Sequence, residues 1–134
     1  MKYLLDTNAW IEVLNNPHGS LAVKLAGHAP SEIALCSVVL AELLVGAYKS
    51  SKPAANLALI HQLIQQFACL PFDSASADPY AQIRCHLEKL GQAIGPYDLQ
   101  IAAIGLQHGL IVVTHNAAEF SRVPNLAVED WLGP

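Results

Sequence analysis

The sequence has 134 residues, a length that suits one domain built around one hydrophobic core. Hydrophobic residues make up 53% and charged residues 13%, which excludes a disordered chain, and charges interrupt the apolar runs too often for a membrane span. The formal net charge of −4 argues against a nucleic-acid-binding surface unless the eleven acids are gathered in one place. We therefore predict a single domain over residues 1–134, with no membrane segment.

The opening MKYLLDTNAW does not have the pattern of a signal peptide, because Asp6 interrupts the apolar stretch early. The three cysteines, Cys36, Cys69 and Cys85, are odd in number, lie among apolar neighbours and form no Cys-x-x-Cys motif. This pattern predicts buried free thiols in a reducing compartment, so we expect a cytoplasmic protein.

Short apolar runs alternate with longer helical segments along the chain. We predict strands at 3–5, 33–37, 69–72, 110–114 and 126–128, and helices at 9–15, 21–26, 38–48, 54–67, 76–90 and 97–107. Because the strands are apolar without alternation, they should be buried on both faces. Strands that alternate with helices predict an α/β fold with a parallel sheet between helices. The functional site of such a sheet lies outside the carboxyl ends of its strands.

Asp6 follows the first predicted strand and precedes Thr7 and Asn8. All three are good helix N-caps, and a cap contributes about 1 kcal/mol, so capping alone explains one of them. Since a cap needs only one side chain, three polar residues in a row suggest that Asp6 has a second role.

Glu42 is the only charged residue from Val38 to Gly46, in a helix that is apolar almost all round. Such a helix should be buried on most faces, and no Lys or Arg stands three or four residues away to pair with the carboxylate. Two interpretations remain open. Either Glu42 lies on a narrow exposed stripe, or it is buried and needs a cation, hydrogen bonds or a proton.

Asp98 lies in the first turn of a predicted helix, where the helix dipole favours an acid. A purely structural role therefore remains open. However, Asp98 shares a helix face with Ile101 and Ala102, which directs it towards packed structure.

The fourth predicted strand ends in Thr114, His115 and Asn116, and Glu119 follows one helical turn later. Asn116 and Glu119 have the spacing of a capping box, so a local capping role is open here too. We expect His115 not to be a ligand, because the six histidines share no regular spacing.

Taken together, Asp6, Glu42 and Asp98 are expected at one edge of the sheet, beside the polar residues after the fourth strand. Crowded carboxylates raise each other's pKa values unless a cation lies among them, and no Lys or Arg is found within three residues of any of the three. Oxygen ligands without clustered Cys or His suit magnesium or manganese. We therefore predict a Mg²⁺ or Mn²⁺ site formed by these acids.

At these residues the sequence resembles the PIN domains, and in particular the VapC toxins of bacterial toxin–antitoxin pairs. The matching segments are LLDTN at 4–8, SVVLAELLVGA at 37–47, IGPYDLQIAA at 94–103 and VVTHNAAEFSRVPNLAVEDW at 112–131. Each segment alone is weak, but the four in this order over essentially the whole chain are highly specific. The resemblance implies a three-layer α/β/α PIN-domain fold with a central parallel β-sheet, and a metal-dependent endoribonuclease.

The resemblance also implies roles for individual residues. Its metal-binding acids fall on Asp6, Glu42 and Asp98, and its polar position after the fourth strand falls on Thr114. Many PIN domains have an Asp where this chain has Asn116, and Glu119 is expected to supply that acid directly or through water. We accordingly expect one well-held ion and a weaker second one. The candidate catalytic residues are Asp6, Glu42, Asp98, Thr114, Asn116 and Glu119.

Substrate and partners are likewise implied by the resemblance. The family points to structured RNAs cut at unpaired positions, above all tRNA anticodon loops, and initiator tRNA is the first expectation for this branch. Asn8, Lys49 and Arg84 are candidate contacts to the RNA. The expected protein partners are a VapB-type antitoxin, whose tail would cross the acidic pocket, and a second copy of the chain.

Other classes of protein fit less well. A response-regulator receiver needs a late Lys, but none follows Lys89. An Asp-x-Asp phosphatase does not match Asp6-Thr7-Asn8, and no P-loop or Gly-x-Gly-x-x-Gly motif is present to bind a nucleotide. The strongest alternative is a non-catalytic RNA- or protein-binding module of the PIN fold, in which Asn116 marks lost catalysis.

Overall fold

The computed structural model describes residues 1–132, and over that range the strands form one parallel sheet. The five strands are β1 (Tyr3–Leu5), β2 (Ile33–Cys36), β3 (Ala68–Leu70), β4 (Ile111–Val113) and β5 (Val128–Glu129), in the order β3-β2-β1-β4-β5. β1 lies in the middle, and Leu4 is opposite both Ala34 and Val112. The carboxyl ends of β1 and β4 are therefore adjacent.

Helices follow every strand but the last within the described range. They are α1 (Thr7–Asn15), α2 (Ser20–Ala26), α3 (Ser37–Lys49), α4 (Pro53–Gln66), α5 (Ser74–Lys89), α6 (Pro96–His108) and α7 (Ala117–Phe120), with a 3₁₀ turn at Pro30–Glu32. The predicted α/β class with a central parallel sheet between helices is confirmed. All the predicted strands and helices are present, with ends shifted by one or two residues, while α7 and the 3₁₀ turn were not predicted.

The core lies on the two central strands and the helices packed on them. Every residue of β1 and β2 is buried, and Trp10 and Phe120 are the largest fully buried side chains. α6 packs closely on β4 at Gly105. A Cβ at this position would lie only 3.0 Å from Cγ2 of Val112. This close approach fixes α6, and with it Asp98, relative to the sheet.

Two expectations about burial are wrong. β3 is exposed at Ala68 and Cys69, because it is an edge strand with a neighbour on one side only. Cys36 is buried as predicted, but Cys69 on this edge and Cys85 on α5 are exposed. All three thiols are therefore free, but only that of Cys36 is buried.

The expectation that α3 is buried on most faces is also wrong. α3 buries Val39, Leu43 and Ala47, whereas Val45 is 53% and Tyr48 67% exposed. The physical reason is that a helix on the outside of a sheet presents only one face to it. None of the helices within residues 1–132 combines the length and the hydropathy that a membrane-spanning segment requires.

Candidate active site

The three predicted metal-binding acids come together in one pocket at the carboxyl ends of the central strands. The pocket has a volume of about 230 Å³ and is lined by Asp6, Thr7, Asn8, Glu42, Gly95, Pro96, Tyr97, Asp98 and Asn116. Asp6 directly follows β1, Glu42 comes from α3, and Asp98 comes from the first turn of α6. Among residues 1–132 no Lys, Arg or His lines this pocket. Three carboxylates from distant segments thus share a cavity without a basic side chain.

Asp6 caps a helix and lines the pocket at the same time. Its Oδ1 accepts a hydrogen bond from the N–H of Ala9 at 2.9 Å, and its Oδ2 accepts one from Oγ1 of Thr114 at 2.6 Å. Asp6 is only 4% exposed. Burial raises the pKa of its carboxyl above the ordinary value, the two hydrogen bonds lower it in part, and repulsion from Glu42 raises it again. The capping explanation is correct, and it does not exclude a role in the pocket.

Glu42 is held in place by Thr7. Oγ1 of Thr7 donates a hydrogen bond to Oε1 of Glu42 at 2.6 Å, which joins α1 to α3 across 35 residues of sequence. Glu42 is half-buried, so it lies neither on a fully exposed stripe nor in the core. Sequence reasoning treated Thr7 only as a spare cap, and the run of three polar residues was the one local sign of this contact.

Asp98 is the least satisfied acid of the pocket. Its side chain is half-buried, and it accepts no hydrogen bond from any residue in the described part of the chain. Burial, together with repulsion from Glu119, Asp6 and Glu42, raises the pKa of its carboxyl to about 6. The predicted packing of its helix face is confirmed, since Ile101 and Ala102 are fully buried.

A series of hydrogen bonds, which we call the rear chain, runs behind the pocket through Asp6, Thr114, Asn116, Glu119 and Gly95. Oγ1 of Thr114 donates to Asp6 and accepts from the N–H of Asn116 at 2.9 Å. Nδ2 of Asn116 donates to Oε2 of Glu119, and Oε1 of Glu119 accepts from the N–H of Gly95 at 3.1 Å. Asn116 makes no side-chain cap on α7, so the local capping box is not formed.

The predicted site residues divide into two groups. Asp6, Asn8, Glu42, Asp98 and Asn116 line the pocket, whereas Thr114 and Glu119 lie outside its lining and contact it through the rear chain. His115 is outside as well, with Nδ1 at 3.1 Å from a carboxylate oxygen of Asp130.

The two basic residues predicted to contact RNA do not lie at the pocket. Arg84 pairs with Glu88 on α5 at 2.8 Å, and Lys49 is at the exposed end of α3. Sequence reasoning gave no role to Tyr97, which is 57% exposed and lines the pocket. Its position next to Asp98 was the only signal that could have indicated it.

The donor set fits a Mg²⁺ or Mn²⁺ ion that keeps part of its water shell. Within residues 1–132 no group of three or more His, Cys, Asp or Glu side chains is arranged so that it could hold an ion directly. Mg²⁺ is usually bound through one or two carboxylates, with waters and substrate phosphates as the remaining ligands. The available donors are oxygens, and the unsatisfied negative charge at Asp98 is what a divalent cation would relieve.

Comparisons with known proteins show similarity to one family over nearly the whole chain. A family model described as PIN domain matches residues 3–126. The sequence is 38% identical over 131 residues to the tRNA(fMet)-specific endonuclease VapC of Shigella flexneri, covering 98% of each chain. It is 34% identical to Ribonuclease VapC2 of Haemophilus influenzae, covering 98% of this chain and 99% of the relative. A crystal structure of DNA-bound VapBC from Salmonella typhimurium has a TM-score of 0.92 at 37% identity, with 98% of both chains covered.

Proposed function

The chain belongs to the VapC branch of the PIN-domain family, and from that premise we propose that it is a divalent-metal-dependent endoribonuclease, the toxin of a toxin–antitoxin pair. The observation that carries the proposal is the pocket shared by Asp6, Glu42 and Asp98 without a basic side chain in its lining among residues 1–132. The Shigella flexneri relative is named a tRNA(fMet)-specific endonuclease. We therefore propose a tRNA substrate in the cytoplasm, initiator tRNA first, whose cleavage inhibits translation.

In the proposed reaction, Asp6, Glu42 and Asp98 would hold Mg²⁺ or Mn²⁺, one or two of them directly and the others through water molecules. The chemistry that a bound ion supplies is charge compensation at the scissile phosphate and activation of a water molecule. The chain contributes the geometry. Ala9 and Thr114 fix both oxygens of Asp6, and Thr7 fixes one oxygen of Glu42.

The rest of the pocket is suited to orient RNA. The amides of Asn8 and Asn116 can donate to phosphate or ribose oxygens without adding charge. The N-terminus of α6 opens into the pocket, where the helix dipole favours a phosphate. Tyr97 offers an exposed ring on which an unpaired base can stack, in keeping with cleavage at unpaired positions. Lys49 and Arg84 remain predicted contacts to more distant parts of the RNA.

We also propose a VapB-type antitoxin as the protein partner, since the Salmonella typhimurium relative is found in a VapBC complex. An apolar groove of about 260 Å³ between α1, α3 and α4 is lined by Ile11, Leu14 and Leu59 and extends to Glu42. An antitoxin tail in this groove reaches the acidic pocket, where an Arg can pair with the carboxylates. Loss of co-purification when the tail Arg is replaced by Glu supports this arrangement, and unchanged binding contradicts it.

A homodimer is the second proposed assembly. A groove between α3 and α6 is lined by Val45, which is more than half exposed in the single chain. Covering such a surface favours association. Light scattering of the purified protein measures the mass directly, and a Val45→Glu variant is expected to be monomeric.

The activity test uses purified protein and total tRNA with Mg²⁺ or Mn²⁺, followed by mapping of the cut sites. We expect cleavage that EDTA abolishes and that Asp6→Ala and Asp98→Asn lack. Asp78→Asn is the matched control, because Asp78 is an exposed acid near the start of α5 and lies outside the pocket. RNA left intact by the wild-type protein with both ions would mean a non-catalytic binding module.

A further inference from the structure

The first turn of α6 is capped in an unusual way. Gly95 is its N-cap residue, Pro96 begins the helix, and Asp98 is its third residue. An acid at this third position commonly folds back to accept the backbone N–H of the N-cap residue, which is one half of a capping box. Asp98 makes no such bond, and the N–H of Gly95 donates instead to Glu119, 24 residues further along the chain.

Two other helical starts in the same chain show the ordinary arrangement. At the 3₁₀ turn, Oε1 of Glu32 accepts from the N–H of Ala29 at 3.1 Å. At α5, Oγ of Ser76 accepts from the N–H of Asp73 at 3.2 Å. In both, the third residue takes the N–H of the N-cap residue. α6 differs because a side chain from outside the helix already occupies that donor.

We propose that Glu119 is a positioning residue that occupies the N–H of Gly95 and thereby keeps the carboxylate of Asp98 in the pocket. Without Glu119, the N–H of its own N-cap residue becomes available to the unsatisfied Asp98, in the arrangement of a capping box. Asp98 then turns back along the helix and is lost to the site. This inference rests on the proposed function only in assigning a use to the pocket that Asp98 lines.

The surroundings of Glu119 suit this role. Phe120 is fully buried and Val123 is 2% exposed, so the backbone on the carboxyl side of Glu119 is anchored in the core. The second oxygen of Glu119 accepts from Nδ2 of Asn116. Both oxygens are thus engaged, and Glu119 does not belong to the pocket lining.

A second contact holds the same loop. Nη1 of Arg122 donates to the backbone oxygen of Ala93 at 3.3 Å, two residues before Gly95. The segment that contains α7 therefore binds the loop before α6 through two hydrogen bonds. These bonds keep the N–H of Gly95 within reach of Glu119, which explains why this N–H donates to a residue distant in sequence.

The first test follows amide hydrogen exchange of Gly95 by NMR in the metal-free protein, and it requires no RNA. In the wild type we expect the amide to be protected by its hydrogen bond to Glu119. In Glu119→Ala we expect protection to persist because Asp98 takes over the bond, and to be lost when Asp98→Ala is added. If Glu119→Ala alone exposes the amide as fully as the double variant, Asp98 does not turn back and the proposal is overturned.

The second test asks whether Glu119 acts by positioning Asp98 or through its own negative charge. Glu119→Gln keeps an oxygen for the N–H of Gly95, and the amide of Asn116 can rotate to accept from the new NH₂ group. We expect Glu119→Ala to lower kcat by about a hundredfold with little change in KM, the effect of displacing a reacting group by about 1 Å, and Glu119→Gln to restore most of it. Equal loss in both variants would overturn the proposal.

Gly95→Pro provides an independent background in which Asp98 has no N–H to turn back to. The substitution removes the N–H of Gly95 for which Glu119 and Asp98 compete. The φ of Gly95 is −57°, a value that proline adopts, and a Cβ at this position meets no atom within 4 Å. We expect Glu119→Ala to change kcat less than about twofold when it is added to Gly95→Pro, since interacting residues lose their coupling once one partner is gone. A full loss in this background contradicts the proposal. Failure of the wild type to cut RNA would refute the proposed function, whereas the exchange result would still decide the role of Glu119.

Discussion

Asp6 and Asp98 are two carboxylates of one pocket, and the fold treats them in opposite ways. Asp6 is almost fully buried, with a hydrogen bond to each oxygen. Asp98 is half-buried and accepts no hydrogen bond within residues 1–132, and burial with nearby acids raises its pKa to about 6. The first is a structural anchor as well as a ligand candidate, whereas the second gains from the dipole at the start of α6 but accepts no hydrogen bond within residues 1–132.

This contrast shows how a charged site can be stable before its ion arrives. Hydrogen bonds from Ala9 and Thr114 offset part of the desolvation cost at Asp6. The remaining cost is concentrated at Asp98, which is only half-buried, so that water can reach it. We expect substitutions at the two positions to separate stability from activity.

The largest effect is expected from Asp98→Asn. Cleavage should fall by about a thousandfold, the scale seen when a group that stabilises transition-state charge is removed. The free energy of unfolding should not fall, because the variant removes an unsatisfied charge from a crowd of acids. Single-turnover cleavage and urea unfolding measure the two quantities, with Asp78→Asn as the control. An active Asp98→Asn enzyme would refute the assignment of this residue.

Asp6→Ala is expected to lower stability, in contrast to substitutions at Asp98. It removes the cap on α1, worth about 1 kcal/mol, and leaves the buried hydroxyl of Thr114 without its acceptor, at a cost of about 1–3 kcal/mol. Relief of the buried charge offsets part of this loss, so we expect a decrease of about 2 kcal/mol in the free energy of unfolding. Asp98→Ala should show no such decrease. Equal destabilisation by both variants would remove the distinction.

The pH dependence of stability is expected to show a smaller effect. The pKa of Asp98 is raised from 3.8 to about 6 in the folded protein, so between these values the folded state binds more protons than the unfolded state. Asp98 therefore destabilises the metal-free protein as pH rises from about 4 to above 6, by roughly 1 kcal/mol because half-exposure screens the charge. Thermal unfolding of wild type and Asp98→Asn from pH 4 to 7 tests this. The two curves should diverge as pH rises through this range, and added Mg²⁺ at pH 7 should bring them closer. Parallel curves would contradict it.

The smallest effect is expected from Thr7→Val, which keeps the shape of the side chain but removes its hydrogen bond to Glu42. We expect a loss of about 1 kcal/mol in stability and a decrease in kcat of about tenfold, because Glu42 is no longer oriented. Thr7→Ser, which retains the hydroxyl, is the matched control and should behave like the wild type. Similar losses in both variants would indicate that packing of the methyl group matters instead.

The sequence was informative where the signal is local. Apolar runs that end in polar residues predicted the strand ends, and the parallel topology placed Asp6 and Asn116 at one edge. The isolated charges of Glu42 and Asp98 in apolar helices indicated a functional role for both, although an exposed stripe for Glu42 and a helix-start role for Asp98 stayed open. These patterns are sufficient because each depends on residues within one or two helical turns.

Contacts between distant segments were not predictable in this way. The bond between Thr7 and Glu42 spans 35 residues, and the bond between Gly95 and Glu119 spans 24. Both depend on how neighbouring helices are rotated on the sheet, which no short pattern encodes. Arg84 was proposed as an RNA contact for its charge alone, and its pairing with Glu88 on an exposed helix was not considered.

The rear chain has a consequence for protein engineering. Grafting only Asp6, Glu42 and Asp98 onto another parallel-sheet scaffold would transfer the ligands without the support that sets their separation. The transplant would also need the hydroxyl of Thr114, the amide of Asn116 and the carboxylate of Glu119. These three groups are additional to the three acids. The minimal portable unit of this pocket is therefore at least twice as large as its set of acids.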